Sequence, residues 1–397
     1  MASLSLINRI KYSKTLFSLY NFIGSNAILL LKFFVKTDDR LIVFASFGGR
    51  KYDDSPKAIY EAMLSDHRFD NYQFVWSFMQ PNKYELPKGE KLKIDTFSYY
   101  KTLLRARVWV TNSSMTRGLY FSGVNTFVLN TWHGSAIKRM GVDINQGNKS
   151  FSLKKKRVNN SIMLAQGQYD VAIFSKAFNR PVSGFRVTGL PRNDVLAHVT
   201  SEDQLKAKLK LNIPADKKAI LYAPTFREYE KDGNSNCVLI PPMDLKKWEA
   251  MLAKDYVLLF RAHYEIVKVM GIEDSEFLRN VSSYPDLNEL IIASDILISD
   301  YSSIFFDYAI QGKPMLCFTY DYERYNRERG MYFDIRDELI CRIDNEDDLL
   351  EEIVSMDETK RRSISRDFRD KYVEVYGKAS QRCLDIIYDV ISDSAKL

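Results

Sequence analysis

The sequence has 397 residues, 46% of them hydrophobic and 27% charged, which is the composition of a folded globular protein long enough for two domains. A formal net charge of +6, with basic residues spread along the chain and no nucleic-acid-binding motif, excludes a typical DNA- or RNA-binding protein but suits phosphate-rich partners. The four cysteines form no CxxC pair, which argues against a disulfide framework or a zinc site and fits a reducing compartment.

The first 37 residues combine cations with apolar side chains. Three cations precede an uncharged run, Thr15–Leu31, and Lys32 and Lys36 follow it. The run is too short and too polar to predict a spanning helix, and no small-residue cleavage site indicates a signal peptide. We expect residues 1–37 to associate with an anionic membrane surface as an interfacial amphipathic segment. The alternative is a helix that simply packs on the following domain.

Short apolar runs alternate with helical and turn-rich sequence over residues 38–195. The runs are Arg40–Phe47, Tyr72–Phe78, Ala106–Thr111 and Thr126–Thr131. Alternation of strands with helices is typical of a parallel sheet. The sequence therefore predicts an N-terminal α/β domain, residues 38–195.

The same alternation starts again over residues 196–397, after a charged and largely helical connection. Its apolar runs are Lys218–Tyr222, Tyr256–Phe260, Asp295–Ser299 and Pro314–Phe318. We predict a second, C-terminal α/β domain that includes the charged helical end of the chain. Two doubly wound domains that face each other place a ligand cleft between the carboxyl ends of their sheets.

A histidine follows one of the predicted strands of the first domain. It is His133, in the string NTWHGS at Asn130–Ser135, where Gly134 allows the backbone to approach a ligand closely. The pKa range of histidine suits abstraction of a proton from a hydroxyl. The alternative is a turn histidine that only hydrogen-bonds to the backbone.

Cations and hydroxyls also follow the strands of the second domain. Thr225 and Arg227 come after one strand, Arg261 and His263 after the next, and Arg329 belongs to a cationic run after the last. Guanidinium and imidazole groups stabilise phosphates by charge-assisted hydrogen bonds. These residues are predicted to bind a phosphate-containing donor, unless they belong to solvated loops.

The most informative string is Ile298–Tyr308, ISDYSSIFFDY. A strand ends at Ser299, and a helix is expected to begin near Ser302 with Asp300 or Ser302 as its cap. The free N–H groups of such a helix suit a pyrophosphate, with Ser303 beside them. Asp307, early in the helix, is expected to reach ribose hydroxyls or another polar group of the donor.

Several common mechanisms are not indicated. No GxGxxG, GxxxxGK[ST], HExxH or GxSxG string occurs at these positions, which argues against nicotinamide, P-loop, zincin and serine-hydrolase chemistry. We find no compact carboxylate cluster that demands magnesium. We therefore expect no metal and no cofactor.

Taken together, these strings resemble the CDP-glycerol glycerophosphotransferase family of teichoic acid and capsule synthesis. The resemblance covers about Arg40 to Asp334 and rests on strings in the same order and spacing as in the family. They are NTWHG, GLPRND at Gly189–Asp194, YAPTFR at Tyr222–Arg227, RAH at Arg261–His263, ISDYSSIFFDYA at Ile298–Ala309 and KPMLCFTYDYERY at Lys313–Tyr325, with Arg329-Gly330.

The resemblance implies a GT-B-like fold and transfer of a polyol phosphate from CDP-glycerol or CDP-ribitol to a polyprenyl-linked or polymer acceptor, with release of CMP. It implies peripheral attachment to the cytoplasmic face of a bacterial membrane. By the same resemblance, His133 is the base toward the acceptor, His263 contacts the pyrophosphate, and Ser302 and Ser303 bind the donor phosphates. The chain lacks the long extra N-terminal region of some polymerases, which puts its acceptor class in doubt.

The sequence leaves three alternatives. The first is a glycosyltransferase that uses a nucleotide-sugar on the same fold, and the second is a nucleotide-sugar epimerase. The third is a catalytically silent scaffold in a wall or capsule complex, against which the presence of both His133 and His263 argues. The donors CDP-glycerol and CDP-ribitol are not separable by sequence because they share the CDP half.

Overall fold

The computed structural model describes residues 13–144, 160–225, 227, 243–262 and 274–394. Within them, the chain forms two parallel β-sheets flanked by helices. This confirms the predicted α/β class with two sheets.

The first sheet has seven strands in the order β3-β2-β1-β4-β5-β6-β7, all paired in parallel. Its central strands are apolar and buried along most of their length, as strands covered on both faces must be. The strands are β1 Asp38–Ala45, β2 Gln73–Phe78, β3 Glu90–Lys93, β4 Ala106–Thr111, β5 Phe127–Asn130, β6 Ser161–Ala165 and β7 Phe185–Val187.

The second sheet has five strands in the order β10-β9-β8-β11-β12, again all parallel. They are β8 Lys218–Tyr222, β9 Tyr256–Phe260, β10 Leu278–Asn280, β11 Ile296–Ser299 and β12 Met315–Cys317. All four apolar runs that predicted this domain coincide with strands: β8 and β9 have the same bounds as their runs, β11 begins one residue later than its run, and β12 is one residue shorter than its run at both ends.

Helices connect the strands and cover both sheets. Most are capped by a side-chain oxygen that accepts an N–H of the first turn, such as Asp53 or Thr200. In the described part of the chain they are α1 Lys14–Lys32, α2 Asp54–Leu64, α3 Phe97–Arg105, α4 Gln168–Ala177, α5 Ser201–Lys210, α6 Leu245–Leu252, α7 Leu287–Ala293, α8 Ile304–Ala309, α9 Tyr322–Arg329, α10 Ile335–Glu338, α11 Glu346–Val354, α12 Glu358–Tyr372 and α13 Ala379–Ser394.

In each sheet, the first strand lies in the interior, between strands that follow it. Strand β1 pairs with β2 and β4, and β8 pairs with β9 and β11. The strand order reverses at these points, and open α/β sheets bind ligands in the crevice outside the carboxyl ends of such strands. The loops after β1, β4, β8 and β11 are therefore placed to form a site.

The last helix does not remain in the second domain. Cys383, Leu384, Ile387 and Ile391 of α13 lie in the core of the first sheet, where they pack with residues of β1, β2, β4 and α2. Helix α13 falls within the range 196–397 expected for the C-terminal domain, but its buried residues contact the first sheet. The amino-acid pattern of α13 predicts a helix with one apolar face, but it does not predict which sheet that face covers.

Helix α1 packs on the first domain through one face only. The Oγ of Ser25 accepts the N–H of Tyr120 at 2.9 Å, and Ile28 is buried in the core. None of the described helices is long and apolar enough to cross a membrane. The opposite side of α1 and its C-terminal end, here named the apolar face of α1, leaves these large hydrophobic side chains exposed: Leu16, Leu19, Phe22, Ile23, Leu29, Leu30, Phe33 and Phe34.

We expect Ile387→Ala to lower the free energy of unfolding by about 2–5 kcal/mol, because it leaves a cavity in the core of the first sheet. Hydrogen exchange followed by mass spectrometry should speed up in β1 and β4 more than in β8 and β9. Asp389→Ala, at an exposed position of the same helix, is the matched control and should change stability by no more than about 0.5 kcal/mol. Faster exchange confined to the second sheet would contradict the docking of α13 on the first.

Candidate active site

The two domains touch at Gly134, in the loop after β5, and Ser303, just before α8. A Cβ atom on Gly134 would lie 2.7 Å from the Oγ of Ser303, and the φ angle of Gly134 is 142°. Only glycine permits both this backbone conformation and this approach. The contact brings the loop that carries His133 against the loop that carries Ser302 and Ser303, which makes this junction the candidate active site.

The imidazole of His133 is held in one orientation. Its Nδ1 lies 2.9 Å from the backbone oxygen of Asn112, the residue just after β4. A carbonyl oxygen only accepts, so Nδ1 carries the hydrogen and Nε2 is the basic nitrogen of the neutral ring. The ring also stacks on Trp132 with centroids 4.2 Å apart, and Trp132 has a left-handed φ of 51°. Such strained conformations are typical of functional loops.

The surroundings of His133 favour its neutral form. Burial of the ring lowers its pKa below the usual value, against the hydrogen bond to Asn112 and the charge of Asp54, which act in the opposite direction. The positive charge of Arg192 adds to the lowering. A neutral imidazole with a free Nε2 is the form that accepts a proton from a hydroxyl.

Ser299 and Asp300 join strand β11 to the loop after β8. The Oγ of Ser299 donates to the backbone oxygen of Ala223 at 2.6 Å. One carboxylate oxygen of Asp300 accepts the N–H groups of Thr225 and Tyr301, at 2.9 and 2.6 Å. Both side chains are buried, so they shape the predicted donor site rather than line it.

Ser302 and Ser303 are half-buried and lie beside the loop of His133. Helix α8 begins at Ile304, two residues later than expected, and the Oγ of Ser302 accepts the N–H of Ile304 at 3.3 Å. Ser303 makes no side-chain cap bond. Thr225 is buried, and its hydroxyl has no hydrogen-bond partner among the described residues.

Arg227 is fully buried inside the second domain. Its guanidinium donates to Asp300 at 2.9 Å, and to both oxygens of Asp321 at 2.7 and 2.9 Å. It also bonds to the Thr225 carbonyl and the Tyr320 hydroxyl, so all five of its N–H groups are engaged. In this arrangement Arg227 holds the loop after β8 in place and has no donor left for a ligand.

Arg261 and Arg329 lie nearer the junction of the domains. Arg261 donates to the carbonyls of Val281 and Tyr284, and its charge interacts with that of Asp53 in the first domain. Arg329 is the last residue of α9, and the carbonyl of Gly330 after it accepts the N–H of Arg139 at 3.0 Å.

This last bond belongs to a short ladder that joins the domains. Lys138 and Met331 form an antiparallel bridge, and the N–H of Tyr332 donates to the carbonyl of Ile137 at 2.8 Å. The segment that follows His133 is therefore paired with the segment that follows Arg329.

The carboxylate of Asp307 is engaged by two residues for which the sequence indicated no role. Arg192 bonds to both of its oxygens, at 3.1 and 2.8 Å, and the amide of Asn193 donates to one of them at 2.6 Å. Asp307 is 2% exposed, so it is placed to hold Arg192 rather than a ribose. In the sequence, the only sign of a role for Arg192 and Asn193 is that both belong to the family string GLPRND. That string does not predict their contact with Asp307.

Of the predicted site residues, His133, Ser302, Ser303 and Asp307 lie together at the junction. Arg261 and Arg329 lie at other contacts between the domains, and Thr225, Arg227, Ser299 and Asp300 form the buried support beneath the second domain's loops. His263 lies outside the described residues. Within the parts of the chain that are described, no group of three or more His, Cys, Asp or Glu side chains is placed to hold a metal ion.

Comparison with known proteins identifies relatives of the chain. Residues 27–389 match the family described as CDP-Glycerol:Poly(glycerophosphate) glycerophosphotransferase. The chain is 33% identical over 365 residues to the teichoic acid glycerol-phosphate transferase of Staphylococcus aureus, covering 88% of this chain and 92% of the relative.

It is also 34% identical over 373 residues to the teichoic acid poly(glycerol phosphate) polymerase of Staphylococcus epidermidis. The match covers 89% of this chain but only 51% of the polymerase, so the chain spans about half the length of that relative.

Among solved structures, the chain is similar to the wall teichoic acid polymerase TagF, with a TM-score of 0.84, 31% identity, and coverage of 97% of this chain and 98% of that one. A TagF variant soaked with CDPG gives the same TM-score and coverage. The GT-B-like arrangement of two Rossmann-like domains is thereby confirmed. Since the family match extends over residues 27–389, the chain belongs to the CDP-glycerol:poly(glycerophosphate) glycerophosphotransferase family.

Proposed function

We propose that the chain transfers glycerol phosphate from CDP-glycerol to a hydroxyl of a membrane-linked acceptor and releases CMP, in the synthesis of teichoic acid or a capsular polymer. The observation that carries the proposal is the contact of the His133 loop with Ser303. This contact supports the proposal because the neutral ring of His133, with its free Nε2, lies on the loop that touches Ser303, and we assign Ser303 to the donor phosphates.

In the proposed reaction, Nε2 of His133 accepts the proton of the acceptor hydroxyl. The hydroxyl oxygen attacks the phosphorus that carries the glycerol, a new phosphodiester bond forms, and the bond to the CMP oxygen breaks with its electron pair leaving on CMP. Transfer of this kind depends on in-line positioning and on neutralising charge, rather than on a covalent intermediate. Ser302, Ser303, Arg261 and His263 are the residues we assign to the donor.

The proposed place of action is an anionic membrane surface on the cytoplasmic side. Its support is the apolar face of α1, where Phe22, Phe33 and Phe34 are 69%, 85% and 86% exposed. Exposed apolar patches mark surfaces that contact a protein or a membrane. Lys32 and Lys36 border this face, and cations near an anionic leaflet add about 1 kcal/mol each.

The function is tested by incubating the purified chain with CDP-glycerol and a glycerol-phosphate-primed lipid acceptor, followed by measurement of CMP and of product mass. CDP-ribitol is run in parallel, because only the polyol differs between the donors. Release of CMP together with an acceptor heavier by one or more glycerol phosphates is the expected result. No product from either donor would contradict the function.

His133→Ala should abolish transfer and leave the dissociation constant of CDP-glycerol within about threefold, since the base acts on the acceptor. In the wild type, kcat/KM should fall as the pH drops through the pKa of His133, which lies below its usual value, because the protonated ring accepts no proton. Calorimetry and CMP release between pH 5 and 9 measure both effects. Near-wild-type turnover of the variant would refute the assignment of the base.

Ser302→Ala and Ser303→Ala should each weaken CDP-glycerol binding by about 1–3 kcal/mol, because each removes a hydroxyl from the proposed phosphate contacts. Ser355→Ala, at an exposed serine just after α11, is the matched control and should leave binding unchanged. The same calorimetry on His263→Ala tests the pyrophosphate contact that the family resemblance implies. Unchanged affinity in all three variants would remove the donor from this loop.

The full chain should float with anionic vesicles at low salt and be partly released at high salt, because salt screens the ionic part of the attraction and leaves the apolar part. Phe22→Glu combined with Leu30→Glu should abolish flotation. Val354→Glu changes an equally exposed apolar residue in the second domain and serves as the control. Equal flotation of wild type and the double variant would rule out the apolar face of α1 as the membrane contact.

A further inference from the structure

Arg192 joins three separate parts of the chain at the junction of the domains. It lies in the 3₁₀ helix Pro191–Leu196, between the two sheets. Its Nη1 donates to Asp54 at 2.7 Å and to the backbone oxygen of His133 at 3.0 Å. Its Nη2 donates to both carboxylate oxygens of Asp307 at 2.8 and 3.1 Å. One guanidinium thus touches the start of α2, the residue that carries the base, and helix α8.

The partners of Arg192 are themselves constrained. Asp54 has a left-handed φ of 65°, which is unusual for a residue with a side chain. Asp307 is buried and also accepts a bond from Asn193. The side chain of Asn288, on α7, donates to the backbone oxygen of Arg192. The guanidinium is therefore held by contacts from both domains and has little freedom to move.

Such a site selects arginine over lysine. In the planar guanidinium of Arg192, one nitrogen donates to the two oxygens of Asp307, and a second nitrogen donates to Asp54 and to the His133 carbonyl. A lysine ammonium has the same charge but no such geometry. Because the side chain of Arg192 is only 12% exposed, removing it leaves two carboxylates unpaired at the junction.

We propose that Arg192 is a positioning residue for the transfer, which fixes the distance between the His133 base and the donor loop that leads into α8. This inference rests on the proposed function. Arg192 acts through the peptide of His133 on one side and through Asp307 on the other. A displacement of about 1 Å between reacting groups costs on the order of 100-fold in rate, so this link bears directly on kcat.

The experiment compares three variants of the full chain. Arg192→Gln removes the charge and the fork, and Arg192→Lys retains the charge without the fork. Arg361→Gln is the matched control, because Arg361 is also buried and bonds to a carboxylate, Glu352, and to two backbone carbonyls far from the junction. For each we measure kcat and the acceptor KM by CMP release, the dissociation constant of CDP-glycerol, the pH profile and the melting temperature.

We expect Arg192→Gln to lower kcat by roughly 100-fold, with the dissociation constant of CDP-glycerol changed no more than about threefold. The acidic limb of the kcat/KM pH profile of Arg192→Gln should move to higher pH. Asp54 and Arg192 are the charged groups that act on His133 among the described residues, and removing the cation leaves only the pKa-raising carboxylate. Arg192→Lys should restore the pH profile but only part of kcat. Arg361→Gln should lower the melting temperature with kcat within about twofold.

The proposal is overturned if Arg192→Gln keeps kcat, or if its loss of kcat is matched by Arg361→Gln at a similar loss of melting temperature. It is also overturned if the pH profile does not move. Should Arg192→Gln fail to fold, Asp307→Asn removes the charge on α8 while Arg192 keeps its contacts with Asp54 and His133, and the same loss of kcat is expected. If the wild type makes no product, the proposed function is refuted. If the wild type is active and the Arg192 variants are as active as the wild type, only the positioning role of Arg192 is refuted.

Discussion

The candidate site depends on one constraint: the carboxyl ends of two parallel sheets must face each other at close range. The loop that carries His133 follows a strand of the first sheet, and Ser303 follows a strand of the second, so both sheets are needed to form the two sides of the site. The contact of Gly134 with Ser303 shows how close the approach is, since even a Cβ atom on Gly134 would not fit. The antiparallel bridge between Lys138 and Met331 fixes the same approach a few residues away.

Burial and charge divide the polar residues near this junction into two groups. In the second domain, buried Arg227 forms ion pairs with Asp300 and Asp321, and these pairs hold the loop after β8. Buried pairs of this kind are costly to break, because removing one partner leaves an uncompensated charge. His133 belongs to the other group: it is half-buried, held by one hydrogen bond and kept neutral by its surroundings. The buried ion pairs make the loop after β8 rigid, and His133 provides a side chain that can exchange a proton.

The two ends of the chain both contribute to the first domain. Helix α13 completes the core of the first sheet after the chain has built the second domain, so the two domains are linked by more than one crossing of the backbone. Helix α1 covers another part of the same domain and leaves an apolar face outside. The domain that carries His133, the proposed base, is therefore also the one that carries the surface proposed to meet the membrane, which suits an acceptor held in a bilayer.

The α/β class, the two sheets and most strand positions could be predicted from the amino-acid sequence, because buried parallel strands are continuous apolar runs that need no tertiary information to detect. The sequence also marked His133, Ser302 and Ser303, since polar residues that follow such runs lie at the ligand-binding edge of a sheet. Which of these polar residues face the junction depends on contacts between segments that are distant in sequence. From the sequence, the charged side chains of Arg227 and Asp307 could equally bind a ligand. The structure pairs them with Asp321 and Arg192, which lie 94 and 115 residues away in the chain. The packing of α13 on the first sheet and the contacts of Arg192 were likewise not predictable from the sequence. Local sequence patterns show the period of a helix and the end of a strand, but they do not show what packs against them.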